Sequence, residues 1–210
     1  MTRLDTIFSL IEQCDIFADI GTDHGLIAKA ALAFSKKVIA SDISEKCLEK
    51  AKKLLQASEN TEFIVSDGLK NFNENPCIIS ICGMGGHTIK DILTDYFSKN
   101  KTAILILQPQ NDVHLLREFL VKNNYTITHD VAAREKKKFY CILKAVPGVD
   151  KLDSQQILFG KFYKHKSLIL KEKLQYNLAR LKTYTLFDGK ITQKNEDLIN
   201  LVKEALTWQE

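Results

Sequence analysis

The chain is predicted to fold as an α/β protein, a seven-stranded and mostly parallel sheet with helices on both faces, followed by a C-terminal antiparallel helical hairpin of coiled-coil type. Three observations predict it. Five short apolar runs alternate with helical stretches as far as Gln108, the pattern of parallel strands joined by crossover helices. Two further runs, YTITHDVAA and KFYCILKAV, are separated only by the polar REKK and so should pair antiparallel at the end of the sheet. Beyond Pro147-Gly148 the apolar spacing is helical.

Taken in order, Leu4, Ile7, Phe8 and Ile11 recur at helical spacing and predict an amphipathic helix over 3–14. The five runs are IFADI (16–20), KVIAS (37–41), EFIVS (62–66), CIISIC (77–82) and AILILQ (103–108), with helices starting at Glu45 and near Val113. The antiparallel pair covers 125–133 and 138–146. Phe162, Ile169, Leu170, Leu174, Leu178 and Leu181 then predict one long helix from about Asp153 to Phe187. The turn Asp188-Gly189 leads to a second helix carrying Leu198, Val202 and Leu206, which closes a hairpin. The organisation expected is a ligand-binding unit over 1–150 and a basic helical hairpin over 151–210.

Hydrophobic residues make up 45% and charged residues 27%, an ordinary globular composition. No apolar run approaches the roughly 20 residues of a membrane helix. The start, MTRLDTIFSLIEQC, carries acidic residues where a secretory leader has small ones, so a cytoplasmic protein with no membrane partner is expected. Cys14, Cys47, Cys77, Cys82 and Cys141 form no C-x-x-C pair, which indicates neither a disulfide framework nor a metal site. Lys+Arg and Asp+Glu balance at 19 each over 1–150 but stand at 11 to 7 over 151–210, and at 9 to 3 within 151–190. Such a basic stretch suits a polyanionic partner, and it also suits a solvated helix face.

The first strand runs into ADIGTDHG (18–25). Glycine at a strand end permits a tight turn and close approach of backbone to ligand. Two carboxylates, Asp19 and Asp23, would repel a dinucleotide pyrophosphate but attract a cationic ligand. Asp42, in ASDIS at the end of the second strand, can accept hydrogen bonds from both hydroxyls of a ribose, although it or Ser44 also suits a helix cap. Asp67, in VSDGL after the third strand, can take an adenine amino group with Gly68 leaving room for the ring; a plain turn would look the same. Three acidic loop ends on successive strands lie where open α/β sheets collect ligands.

Five βα units ending in an antiparallel hairpin resemble the Rossmann-like class I S-adenosylmethionine (SAM) methyltransferases, whose first loop reads D/E-x-G-x-G-x-G. Here Asp19, Gly21 and Gly25 hold three of the four places and Asp23 replaces the middle glycine. DIGTDHG (19–25), ICGMGG (81–86), LQPQ (107–110) and the basic hairpin together resemble the bacterial tRNA adenine-22 N1-methyltransferases, the TrmK family, over essentially the whole chain. The resemblance implies methyl transfer from SAM, leaving S-adenosyl-L-homocysteine, to N1 of an adenosine in the D-arm of tRNA, with the C-terminal helices holding the tRNA. The cofactor-binding set it implies is Asp19, Gly21, Thr22, Asp23, His24, Gly25, Asp42, Ile43, Asp67, Gly68, Cys82, Gly83 and Met84. A monomer is expected.

Adenine N1 is a neutral nucleophile with an in-plane lone pair, so positioning should dominate and no general base is obligatory. Enzymes that methylate N6 carry a tandem-proline loop with an aromatic residue after the fourth strand. Cys82-Gly83-Met84-Gly85-Gly86 has neither, which disfavours N6. Substrate positioning is expected from Met84 as a flexible apolar wall, His87 at the rim, and Gln108, Pro109, Gln110 and Asn111 as a stiffened row of base-edge amides. His24, His87 and His114 also read as structural, and the amides as helix caps. RNA contacts are expected from Arg134, Lys136, Lys137 and Lys138 in the hairpin turn and from Lys161, Lys164, Lys166, Lys171, Lys173, Arg180 and Lys182 beyond it. Two other functions fit the fold: a SAM methyltransferase of a small metabolite or protein, which needs no basic hairpin, and a non-catalytic RNA-binding protein, which needs no complete acidic set.

Overall fold

A computed structural model describes residues 2–55, 58–99, 102–187 and 192–210. Seven strands, β1 (Cys14–Ile20), β2 (Ser35–Asp42), β3 (Thr61–Val65), β4 (Ile78–Met84), β5 (Ile104–Pro109), β6 (Tyr125–Glu135) and β7 (Lys138–Pro147), form one sheet in the order β3-β2-β1-β4-β5-β7-β6. β1 to β5 are parallel, and β7 runs antiparallel between β5 and β6. The strand order reverses between β1 and β4, and the crevice beyond their carboxyl ends is where such sheets bind ligands.

The central strands are buried on both faces, and their period-two alternation sorts side chains into two cores. Ala18, Ile20, Ile79, Ile81, Leu105 and Leu107 pack under α4 (Gly86–Ser98) and α5 (Val113–Lys122). Phe17, Val38, Ala40, Ile78, Ile106 and Ile142 face the other side, under α1 (Arg3–Phe8), α2 (Leu26–Ala31) and α3 (Glu45–Leu55). Continued to the carboxyl edge, this second face carries Asp19, Cys82 and Gln108, together with Tyr140 at the start of β7. Alternation thus brings four strands' polar ends to one place.

The predicted first helix is shorter than 3–14. A capping box of Thr2 and Asp5 starts it, and it ends at Phe8 because the chain must turn into β1. Lys144 of β7 holds that turn, its Nζ donating to Leu10 O at 3.1 Å and pairing with Glu12 at 2.6 Å.

The predicted long helix over 153–187 is two helices, α6 (Ser154–Phe159) and α7 (Leu168–Phe187). Gly160 breaks it at φ 126, a backbone conformation glycine reaches most readily. Tertiary contacts compel the break: Arg117 of α5 donates to Ile157 O at 2.9 Å, and Lys161 N donates to Asp130 of β6 at 2.7 Å. α7 and α8 (Gln193–Thr207) are antiparallel, with Ser167 N before α7 donating to Gln209 beyond α8 at 2.8 Å. They bury Leu170, Leu174, Val202 and Ala205 against Phe159 and Tyr163. The expected turn at Asp188-Gly189 lies outside the described residues. No helix among the described residues is long and apolar enough to cross a membrane.

Candidate active site

The loop after β1 is built around Asp19. Its carboxylate, 2% exposed, accepts from Ser80 Oγ at 2.5 Å and Thr22 Oγ1 at 2.8 Å. Burial pushes its pKa up against these donors. Asp19 therefore acts on the loop from beneath, fixing Thr22. Gly21 (φ 74) and Gly25 (φ 72) take the left-handed turns, and the amides of Gly21 and Thr22 both donate to Ser41 O, tying the loop to β2. A Cβ at Gly21 would stand 2.1 Å from Met84 Cε, so the two loops touch there. Asp23 turns outward and pairs with Lys50 at 2.8 Å and with His24 at 3.3 Å.

Asp42 ends β2, and its Oδ1 accepts from Ser44 N at 2.8 Å in the turn before α3; of the two predicted caps it is Ser44 that serves, its Oγ accepting from Cys47 N at 3.4 Å. Beside it, Ile43 is 70% exposed, an apolar side chain held in water at the sheet's carboxyl edge. Asp67, past β3, is exposed and pairs with Lys70 at 2.5 Å.

Gly83 forms a bulge in β4, where the register with β5 shifts between Cys82 and Met84. A Cβ there would meet no heavy atom within 4 Å, so this backbone lies bare to the cleft. Gln110 Nε2 donates to Gly83 O at 2.7 Å, joining the β4 and β5 loops. Burial, with the Asp19 charge next, pushes the Cys82 thiol upward, leaving a neutral wall.

The loops after β1, β4 and β5 open into a cleft of about 890 Å³, running from the loop at 19–24 past Cys82, Gly83, Gln108 and Gln110 to the hairpin turn at 135–138, while Asp42, Ile43, Asp67 and Gly68 lie outside its lining. Of the expected positioning residues it gathers Gln108 and Gln110. Asn111 instead accepts from Gly86 N at 3.0 Å as the cap of α4, Pro109 is buried, His87 is exposed on α4, and Met84 lies against Gly21. None of these four lines the cleft. Gln108 is itself committed: 1% exposed, it accepts from Arg3 Nη1 at 3.0 Å and donates to Pro109 O.

Arg3, Leu4, Leu26, Glu135 and Tyr140 also line the cleft, and none of them is expected at the site from the sequence. Arg3 pairs with Glu135 at 3.7 Å and lies over the Tyr140 ring at 5.6 Å. The alternation of KFYCILKAV puts Tyr140 on the face of Ile142, but only the β5–β7 register brings it to Gln108.

Among the expected RNA contacts, Lys136, Lys137 and Lys138 are exposed at the mouth of the cleft. Arg134 pairs with Glu172 of α7 at 2.6 Å. Lys161 is 19% exposed and bound to Asp150 at 2.7 Å, where it holds the start of the C-terminal segment. Lys164 lies over the Trp208 ring at 4.8 Å, Lys166 donates to Glu210 O at 2.6 Å, and Lys171 and Lys173 are half-buried on α7. Arg180 lies over Tyr176 at 5.8 Å, and Lys182 is exposed.

A sheet of this order with its acidic loop ends defines the chain as a class I SAM-dependent methyltransferase. A family model described as a methyltransferase domain matches residues 1–143. A Mycoplasma pneumoniae protein provisionally named a tRNA methyltransferase is 36% identical over 160 residues, 73% of this chain and 72% of that one. The crystal structure of Streptococcus pneumoniae Sp1610 with S-adenosyl-L-methionine, provisionally described as a tRNA (m1A22) methyltransferase, superposes with TM-score 0.88 at 30% identity, covering 98% of this chain and 100% of that one. That of the Bacillus subtilis m1A22 tRNA methyltransferase TrmK superposes with TM-score 0.84 at 27% identity, covering 97% of each. The chain belongs to the tRNA (adenine(22)-N1)-methyltransferase family, TrmK.

Proposed function

We infer that the chain transfers a methyl group from SAM to N1 of adenosine 22 in tRNA, in the cytoplasm. The observation that carries this reading is the continuity of one cleft from the loop at 19–24 to the three exposed lysines of the β6–β7 turn. A small-metabolite enzyme needs no such basic mouth.

The residues fit the cofactor. Gly21 lies so close to Met84 that a side chain would fill the space, and Gly83 presents bare backbone to the cleft. Asp42 has an oxygen beyond the one Ser44 occupies, suited to a ribose hydroxyl, and exposed Ile43 offers an apolar face to an adenine. Asp67 with Gly68 suits the adenine edge, once Asp67 shares or releases Lys70. Thr22, Asp23, His24, Gly25 and Cys82 complete the set as loop and wall. When bound, SAM supplies a sulfonium-activated methyl electrophile.

The chain's own contribution is position. Neutral N1 needs no deprotonation before attack, so the protein has to free it from pairing, align it and exclude water. Gln110, anchored on Gly83 O, keeps its carbonyl oxygen for the exocyclic amine of a base in the cleft. The lysines at the mouth meet phosphates, and the row of Arg134 over Phe139, Phe139 against Tyr176 at 5.8 Å, and Arg180 over Tyr176 continues a cationic and aromatic path onto α7. Segment 151–210 is thereby the tRNA-holding element of a methyltransferase domain over 1–150.

Labelled SAM, unmodified bulk tRNA and nucleoside mass spectrometry without alkaline treatment test the reading. 1-Methyladenosine is expected, and a transcript without adenosine at position 22 should not yield it. Direct N6-methyladenosine, or methyl transfer only to small molecules or protein, would overturn it.

A further inference from the structure

We propose that Tyr140 is the platform on which the target adenine stacks, with Arg3 bracing the ring from the side away from the base. The proposal rests on the N1-methylation reading and names the group that holds the base in plane. An in-plane lone pair reaches the methyl carbon only if the ring plane is fixed, and an aromatic face fixes it without consuming any polar edge of the base. The β4 loop cannot provide that face, because Gly83-Met84-Gly85-Gly86 contains no aromatic residue. Among the described residues lining the cleft, Tyr140 is the one Phe, Tyr or Trp.

Its placement agrees. Tyr140 projects from the same sheet face as Cys82 and Gln108, two residues before Ile142, and so stands beside the glutamines that can read a base edge. Arg3 is held three ways: by Gln108 at 3.0 Å, by Glu135 at 3.7 Å and by the Tyr140 ring itself at 5.6 Å. A guanidinium pinned at both flanks keeps the ring from turning. Arg3 and Tyr140 are 137 positions apart in the chain and meet only through the seating of α1 on β7.

The test uses the full chain and a tRNA transcript carrying 2-aminopurine at position 22, whose fluorescence falls on stacking, alongside methylation of the unsubstituted transcript. Tyr140→Leu keeps the apolar contact with the core but removes the aromatic face. It is expected to bind SAM normally and tRNA within a few-fold, to lose the quenching, and to fall at least tenfold in kcat. Tyr140→Phe is expected to restore both signals. Should the leucine variant not fold, Arg3→Met leaves the ring in place and is expected to lower kcat several-fold and weaken the quenching. Wild-type kcat and quenching in Tyr140→Leu, or in Arg3→Met where only that variant folds, would overturn the proposal. So would a Tyr140→Phe variant as impaired as the leucine, which would assign the role to the hydroxyl. Failure of the wild type to methylate tRNA would instead overturn the underlying reading.

Discussion

The guanidinium of Arg117 and the carboxylate of Asp130 meet in two hydrogen bonds, Nε to Oδ2 at 2.7 Å and Nη2 to Oδ1 at 3.0 Å, with 2% and 3% of the side chains exposed. Asp130 also accepts from Lys161 N, while Arg117 donates to the carbonyls closing α6. One buried pair therefore locks the C-terminal segment to the sheet.

Removing one partner of such a pair leaves an uncompensated charge, a loss of about 3–5 kcal/mol. Arg117→Met should lose stability of that order in urea unfolding and open the chain near Gly160 to limited proteolysis. Ending the chain at residue 150 keeps both partners but removes Lys161 N and the Ile157 and Leu158 carbonyls that they bond, and should therefore also destabilise the fold. A truncated protein of full stability would refute this role for the pair.

The pair also sets an acid limit. Burial alone would raise Asp130, but the Arg117 charge and the donors around it prevail and hold the carboxyl below its ordinary value of 3.8. A depressed pKa contributes stability above the unfolded value, and that contribution disappears as pH falls through the folded one. Asp19 has the opposite sign: burial raises it, so ionising it costs stability as pH rises through its folded value. Stability measured against pH should therefore show a flatter acid limb in Asp130→Asn than in the wild type.

Gly21→Ala should weaken SAM binding. At φ 74 an alanine is strained by about 1–2 kcal/mol, and its Cβ would displace the Met84 methyl. The methyl is the far end of a flexible side chain, so the fold should survive while calorimetry reports at least tenfold lower affinity. Wild-type affinity would show that the loop tolerates a side chain.

Asp42→Ala removes a charged acceptor at the end of β2. SAM affinity should fall by about 1.5–3 kcal/mol, the worth of hydrogen bonds to a charged group. Calorimetric titration decides it, and unchanged affinity would remove Asp42 from the cofactor site.

Replacing Lys136, Lys137 and Lys138 together by alanine should weaken tRNA binding most at low salt and lower the slope of log affinity against log salt by up to about one for each phosphate left without its lysine. SAM affinity should not change. Filter binding across a salt series checks this, and an unaltered slope would show that the turn does not touch phosphates.

The sequence by itself determined the βα alternation, the antiparallel closing pair, the loops at 19–25 and 82–86, and the acidic ends Asp42 and Asp67. Each of these is encoded over a few neighbouring residues, where period and turn chemistry are local properties of the chain. The tertiary structure decided that Asp19 works from below the loop, that Asn111 caps α4 while Gln110 faces the cleft, and that Gly160 splits the last long apolar stretch. It also decided that Arg3, Gln108, Glu135 and Tyr140 share one wall. Arg3 and Gln108 stand 105 positions apart, and only sheet register and the docking of α1 bring them together, which no local periodicity contains because pairing energy depends on both partners at once.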